Sequence, residues 1–171
     1  LFQHVALIPE RVLQGEVQQI LTTMLVHDRS LFHILFNMLA LFSLGPWVER
    51  AMGVRHFVGL YLWSGIAGSL AFVAWAYLPF GNPAVAAIGA SGAVLGVLTA
   101  FALIFPDAQL RIWFTAPMRA KNLIWLAIGL DVIMLLADSS IAVAAHFGGM
   151  LGGWLYVRRP WRRMLRRSPM G

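Results

Sequence analysis

Five long stretches of the chain are nearly free of charged residues, and short segments that carry charges or prolines separate them. The stretches are Ser30 to Val48, Phe57 to Leu78, Ala84 to Phe105, Asn122 to Ala137 and Ser139 to Val157. Each is long enough, or nearly so, to cross a bilayer core as a helix. Backbone groups in hydrocarbon must be hydrogen-bonded within their own segment, so the pattern predicts an all-α, polytopic membrane helical bundle. We number the stretches spans one to five.

The composition supports a membrane protein. The 171 residues are 60% hydrophobic and 12% charged, whereas a soluble domain usually carries about 25% charged residues. This difference largely excludes a water-soluble globule. The absence of cysteine excludes disulfides and thiolate nucleophiles.

The basic residues predict which way the bundle faces. Eleven of the 13 Lys and Arg residues lie between spans one and two, between spans three and four, or after span five. Cytoplasmic loops are enriched in Lys and Arg, so these segments are expected to be cytoplasmic. The chain then divides into an outer interfacial segment, 1–29, a five-span membrane domain, 30–157, and a basic cytoplasmic tail, 158–171.

The two ends of the chain need separate interpretations. Residues 1–29 mix apolar and polar residues without a 20-residue apolar run, which favours short amphipathic pieces at the outer interface. Because the chain starts outside the membrane and shows no signal peptide, we expect a further, first helix upstream of it. We expect the tail to bind anionic lipid headgroups rather than nucleic acid.

Five ionisable or strongly polar residues inside the apolar spans are functional candidates, because such groups are costly in a membrane. They are His33, Asn37, Ser91, Asp131 and His146. Four of them are predicted to lie at similar depth, below the outer surface. The fifth, Asp131, is expected nearer the middle of the membrane or below it, away from His146.

Ser91 and His146 are the residue types that acyl transfer needs. A serine hydroxyl alone is a poor nucleophile, and a neutral imidazole that accepts its proton activates it. Both spans carry glycines four residues apart, which would let the two helices approach closely. These pairs are Gly92/Gly96, Gly148/Gly152 and Gly149/Gly153.

The tetrahedral intermediate of such a reaction needs hydrogen-bond donors. The Ser91 N–H could serve, together with the side chains of His33 and Asn37, which lie on one helical face because they are four residues apart. Taken singly, each residue has a simpler interpretation as a packing residue or as a polar link between helices. His33 and His146 could also bind a metal, but a third ligand at that depth is missing. Only the combination favours a hydrolase.

This combination resembles the rhomboid family of intramembrane serine proteases. The matching motifs, in the family's order, are His33-Ile-Leu-Phe-Asn37, Gly89-Ala-Ser91-Gly92 and Ala145-His146-Phe-Gly-Gly149. The family core has six helices, and the one missing here is the first, in agreement with the upstream helix expected above.

The resemblance also implies roles for individual residues. Ser91 matches the nucleophile and His146 the general base, in a dyad without a third acid. His33 and Asn37 match side-chain oxyanion donors that act with the Ser91 amide. The remaining motif glycines, which match supporting positions, are Gly89, Gly92 and Gly149. His27 resembles a further histidine of the family, although it stands six residues before His33 where five is more usual, and its role stays open.

The leading hypothesis is a serine endopeptidase that cleaves transmembrane segments of other membrane proteins and needs no cofactor. Its partners would be those substrates and the lipid bilayer, with no nucleic acid. The active site would face the non-cytoplasmic side, and a bacterial inner membrane is the expected location. Two alternatives remain: a catalytically weak rhomboid-like protein that only binds membrane clients, and a small transporter or channel. The lack of polar residues in the cytoplasmic halves disfavours a transporter or channel.

Overall fold

Helices dominate the computed structural model, which describes residues 2–27, 31–110, 117–136 and 140–158. In chain order they are α1 (Phe2–Val5), α2 (Pro9–Leu13), α3 (Gln19–Thr22), α4 (Leu31–Met52), α5 (Val54–Ala76), α6 (Ser91–Ile104), α7 (Asn122–Leu136) and α8 (Ser140–Arg158). A 3-10 turn, Thr23–Leu25, follows α3. The helices α4 to α8 correspond to spans one to five, so the predicted all-α fold is confirmed.

One antiparallel strand pair was not predicted. It joins β1 (Gln109–Leu110) to β2 (Met118–Arg119), between α6 and α7, and Gln109 pairs with Arg119. Nearby, the exposed Asp107 carboxylate lies 3.5 Å from Arg119 and 3.9 Å from Lys121. Exposed ion pairs of this kind contribute little stability. The strand pair is short and confined to the connection between α6 and α7.

Two helix boundaries differ by four or more residues from the predicted spans. The first span was expected to end at Val48, but α4 continues to Met52, through Glu49 and Arg50. A membrane helix can extend beyond the hydrocarbon region, so a charged residue does not mark its end. The third span was expected to start at Ala84, but α6 begins only at Ser91.

The outer surface of the helices is apolar. Among the described residues, α5 is the one helix both long and apolar enough to cross a membrane, and α6 and Asn122–Ile133 of α7 are shorter apolar helices. Large apolar side chains also point away from the bundle. The most exposed on α4 and α7 are Phe36, Phe42, Trp125, Ile133 and Leu136. A soluble domain rarely exposes so much contiguous apolar surface, which agrees with a membrane helical bundle.

The main buried core lies at the end of the bundle away from Ser91. It combines residues from the later turns of α4 and α6, the start of α5, the end of α8, and the start of α7 with the residue shortly before it. Its buried members are Leu44, Val48, Met52, Leu60, Val97, Ala100, Phe101, Ala120, Leu123 and Val157. This core holds the helices together at one end and leaves the candidate polar residues at the other.

Glycines set the spacing of the three central helices. A side chain at Gly149 of α8 would collide with the backbone of Gly92 in α6, and one at Gly153 would collide with Gly96. Helix α5 meets α8 equally closely, because a Cβ added to Gly68 of α5 would lie 2.7 Å from the carbonyl oxygen of Ala145. The close approach of spans three and five that was expected from the glycine spacing is therefore present.

Candidate active site

The structure brings Ser91 and His146 into contact, although 54 residues separate them in the chain. Ser91 Oγ lies 2.9 Å from His146 Nε2, within hydrogen-bond distance. Ser91 is the first residue of α6, and His146 lies in the second turn of α8. An imidazole nitrogen at this distance can accept the hydroxyl proton, which is the geometry that nucleophilic catalysis by serine requires.

The expectation for Asp131 was wrong. Instead of lying away from His146, its carboxyl oxygen Oδ1 is 2.6 Å from His146 Nδ1. The imidazole is thus contacted at both nitrogens, by Ser91 on one side and by an acid on the other. The expected arrangement without a third acid is not the one observed. Both side chains are well buried, with 5% of Asp131 and 14% of His146 exposed.

The positions of Asp131 and His146 along their helices explain this contact. Asp131 lies five residues before the end of α7 at Leu136, and His146 lies six residues after the start of α8 at Ser140. At a rise of about 1.5 Å per residue, the two positions are almost equally far from the ends of α7 and α8 that residues 137–139 join. Two helices joined so closely and packed side by side bring such positions to the same level. The prediction placed Asp131 too deep because its depth in the membrane was counted from the start of span four. Counted from the end of that span, Asp131 lies level with His146.

The segment before Ser91 is held in a non-helical conformation that places the serine at a helix start. The N–H of Leu7 donates to the carbonyl oxygen of Ala87 at 2.9 Å, and the N–H of Ala87 donates back to Leu7 at 2.9 Å. Gly89 then adopts a φ of +122°, which glycine tolerates far better than other residues. Its N–H donates to the carbonyl oxygen of Thr23 at 3.0 Å. These contacts stop the helix from extending back into residues 84–90.

The helix start has a chemical consequence. The first N–H groups of an α-helix have no acceptor within the helix, and the helix dipole makes this end positive. Ser91 occupies that position in α6. The backbone N–H next to the hydroxyl is therefore suited to bind a developing negative charge.

Gln19 joins parts of the N-terminal segment, residues 2–27, to one another. It is fully buried, and its Oε1 accepts a hydrogen bond from the N–H of Ile8 at 2.8 Å. Its Nε2 donates to the carbonyl oxygen of Gln3 at 3.0 Å and to Glu16 at 2.8 Å. The burial of Gln19 was not predicted from the sequence. A glutamine in a polar surface segment gives no sign of burial until the segment folds over.

The predicted oxyanion donors lie on α4, which packs against α6. Asn37 is buried, and its Nδ2 has no hydrogen-bond partner within the described part of the chain. A buried amide donor without a partner is unusual in a folded protein. The His33 side chain lies outside the described residues, so its predicted role stays a prediction. The same holds for the basic tail beyond Arg158.

The motif glycines occupy separate structural positions. Gly89 provides the positive φ before the serine, and Gly92 and Gly149 form the close contact between α6 and α8. His27 lies at the end of the N-terminal segment, after the 3-10 turn.

Comparison with known proteins places these features in a family. A family model described as Rhomboid domain matches residues 14–163. Rhomboid protein 1, mitochondrial, of Saccharomyces cerevisiae is 38% identical over 133 residues, which cover 73% of this chain and 37% of that protein. Rhomboid protease GluP of Bacillus subtilis is 34% identical over 143 residues, which cover 84% of this chain and 26% of that protein.

The human presenilin-associated rhomboid-like protein, mitochondrial, is 33% identical over 132 residues, covering 75% of this chain and 34% of that protein. The chain thus spans between about a quarter and two fifths of the length of these three relatives. Two of these relatives are named as mitochondrial proteins. The third comes from a bacterium and is named a protease. The family match covers most of the chain, and the chain therefore belongs to the rhomboid family of integral membrane proteins.

Proposed function

We propose that this protein is an intramembrane serine endopeptidase that hydrolyses peptide bonds in or near transmembrane segments of other membrane proteins. The observation that carries the proposal is the 2.9 Å contact between Ser91 Oγ and His146 Nε2 in a chain of the rhomboid family. The name of the Bacillus subtilis relative, a rhomboid protease, gives independent support.

The reaction follows from the two side chains. His146 Nε2 accepts the hydroxyl proton as Ser91 Oγ attacks the peptide carbonyl carbon, and a tetrahedral oxyanion forms. The Ser91 N–H and the Asn37 amide are the proposed donors to this oxyanion, together with the His33 side chain. The imidazolium then gives its proton to the leaving amine as the C–N bond breaks. Water hydrolyses the acyl-enzyme, again with His146 as the base, and restores Ser91.

The substrate class follows from the location of the site. Within the bilayer a peptide bond in a helix is shielded by its own hydrogen bonds. The substrate must therefore unwind locally to present an extended bond to Ser91, and helix-breaking residues in its membrane span should favour cleavage. No cofactor takes part in this scheme.

The orientation and domain organisation belong to the same proposal. We infer an outer segment, 1–29, a membrane domain, 30–157, and a cytoplasmic tail, 158–171, with Ser91 toward the non-cytoplasmic side. The distribution of basic residues supports this orientation. A bacterial inner membrane is the proposed location.

Cleavage of a fluorogenic transmembrane substrate by the purified protein in lipid vesicles tests the proposal. We expect Ser91→Ala and His146→Ala to abolish cleavage. Ser64→Ala is the matched control, because Ser64 is a buried serine of α5 that the mechanism does not use. A fluorophosphonate should label the parent protein at Ser91 but not His146→Ala. Cleavage at parental rate by Ser91→Ala would refute the proposal. Substrate binding without cleavage by the parent would favour the client-binding alternative instead.

A further inference from the structure

We propose that Asp131 is a positioning residue that fixes the tautomer and orientation of His146; this inference rests on the proposed function. For His146 Nε2 to accept the Ser91 proton, its other nitrogen must carry the hydrogen. Asp131 Oδ1, 2.6 Å from Nδ1, is an acceptor at the position that selects this tautomer. The site then consists of nucleophile, base and orienting acid, on α6, α8 and α7.

The surroundings of the pair argue for a role beyond holding two helices together. In the part of the chain that the structure describes, the one ion pair of Asp131 is with His146. Its second oxygen, Oδ2, is buried without a hydrogen-bond partner among the described residues. A buried carboxyl group with one unsatisfied oxygen is a poor structural link, and an apolar pair would join α7 to α8 at lower cost.

The positive charge that develops on His146 during the reaction gives the Asp131 carboxylate a catalytic effect that a purely structural contact would not have. When the imidazole takes the Ser91 proton it becomes positive, and Asp131 is already in contact with it. Burial of both side chains keeps water from weakening this attraction. Asp131 therefore acts on the transition state through His146, which makes it a positioning residue.

Three substitutions at Asp131 test the inference in the vesicle cleavage assay. Asp131→Asn keeps the size of the side chain, but its amide N–H can pair with an unprotonated Nδ1 and so favours the unproductive tautomer. We expect kcat to fall by about 10²–10⁴-fold, with KM changed by less than about threefold. Asp131→Ala should behave similarly. Asp131→Glu restores a carboxylate and should recover part of the activity.

Two further measurements distinguish positioning from a general effect on folding. The rate of fluorophosphonate labelling at Ser91 should fall in parallel with kcat in Asp131→Asn, while the thermal unfolding midpoint stays close to that of the parent. In proton NMR, a strongly downfield Nδ1–H resonance of His146 should be present in the parent and in Ser91→Ala, and lost in Asp131→Asn. Thr99→Val, which removes a different buried polar group on α6, should keep both kcat and the resonance.

The outcomes separate this inference from the proposed function. Near-parental kcat in Asp131→Asn and Asp131→Ala, with inactive Ser91→Ala and His146→Ala, would overturn the role of Asp131 and leave the protease proposal standing. Activity in Ser91→Ala would overturn the protease proposal itself. If Asp131→Asn fails to fold, the Asp131→Glu variant and the Nδ1–H resonance of the parent decide, and absence of that resonance counts against the inference.

Discussion

Gly149 of α8 lies against Gly92 of α6 so closely that a Cβ at Gly149 would overlap the Gly92 carbonyl group. Gly92 directly follows Ser91, and Gly149 lies one helical turn after His146. The backbone contact between the two glycines therefore sets the distance between the hydroxyl and the imidazole. Close packing of small residues is how membrane helices approach each other.

Gly149→Ala is expected to separate α6 from α8. The added methyl group meets backbone atoms, which cannot rotate away, so we expect a loss of about 1–3 kcal/mol in unfolding free energy. A displacement of about 1 Å at the site would lower activity by about 100-fold. Cleavage rate and thermal unfolding in detergent measure the two effects.

Gly129→Ala is the matched control for that substitution. Gly129 lies in α7, and a Cβ there meets no atom within 4 Å. Alanine is a better helix former than glycine by about 0.8–1.0 kcal/mol, so this variant should be as stable as the parent or more stable. Equal losses in Gly129→Ala and Gly149→Ala would contradict the role given to the glycine contact.

Asn37→Ala should reduce catalysis without reducing stability. The Nδ2 of Asn37 has no partner in the described structure, so its removal breaks no recorded hydrogen bond at that atom. If Nδ2 donates to the oxyanion, kcat should fall by about 10²–10³-fold. Single-turnover cleavage and thermal unfolding separate the two effects. Ser64→Ala, which removes another buried polar atom without a described partner, should leave kcat unchanged. A large drop in melting temperature with unchanged kcat would show that Asn37 is structural.

Gly89→Ala should lower activity through the loop that leads to Ser91. A residue with a side chain at φ +122° is strained by about 1–3 kcal/mol, and relaxation would disturb the hydrogen bond from the Gly89 N–H to Thr23. Gly15 has a comparable φ of +109° and lies in the N-terminal segment. Gly15→Ala should therefore show similar strain with near-normal cleavage. Equal activity in the two variants would argue against a positioning role of the loop.

Gln19→Ala should loosen the N-terminal segment. The substitution leaves the buried N–H of Ile8 without its acceptor, which costs about 1–3 kcal/mol. We expect faster hydrogen exchange at the Ile8 amide and lower cleavage activity. Gln18→Ala is the control, since Gln18 is the exposed neighbour of Gln19. Unchanged exchange at Ile8 in Gln19→Ala would contradict this function of Gln19.

The sequence predicted the helices and the pairing of Ser91 with His146 because both depend on patterns along the chain. Charge-free length indicates a membrane helix, and polar residues within such a helix are conspicuous. The start of α6 was predicted seven residues too early because residues 84–90 are apolar yet not helical. Their conformation depends on Leu7 and Thr23, which are distant in sequence.

Asp131 and Gln19 show what a single sequence does not reveal. The depth of Asp131 depends on where α7 ends and how it packs on α8, and counting from the start of the span gave the wrong level. The burial of Gln19 depends on three chain segments that meet only in the folded protein. In both cases the missing information is tertiary packing, which hydrophobic periodicity does not encode.

Asp131 and Ser91 reach the same imidazole from different helices, and those helices are held differently. The backbone contact of α6 with α8 fixes Ser91, whereas Asp131 depends on the spacing of α7 from α8. A shift of α7 that lengthens the 2.6 Å contact past hydrogen-bond range would release the ring without moving the nucleophile. The orientation of the His146 ring would then depend on the distance between α7 and α8. Lateral movement of α7 in the bilayer would therefore change the activity of the site.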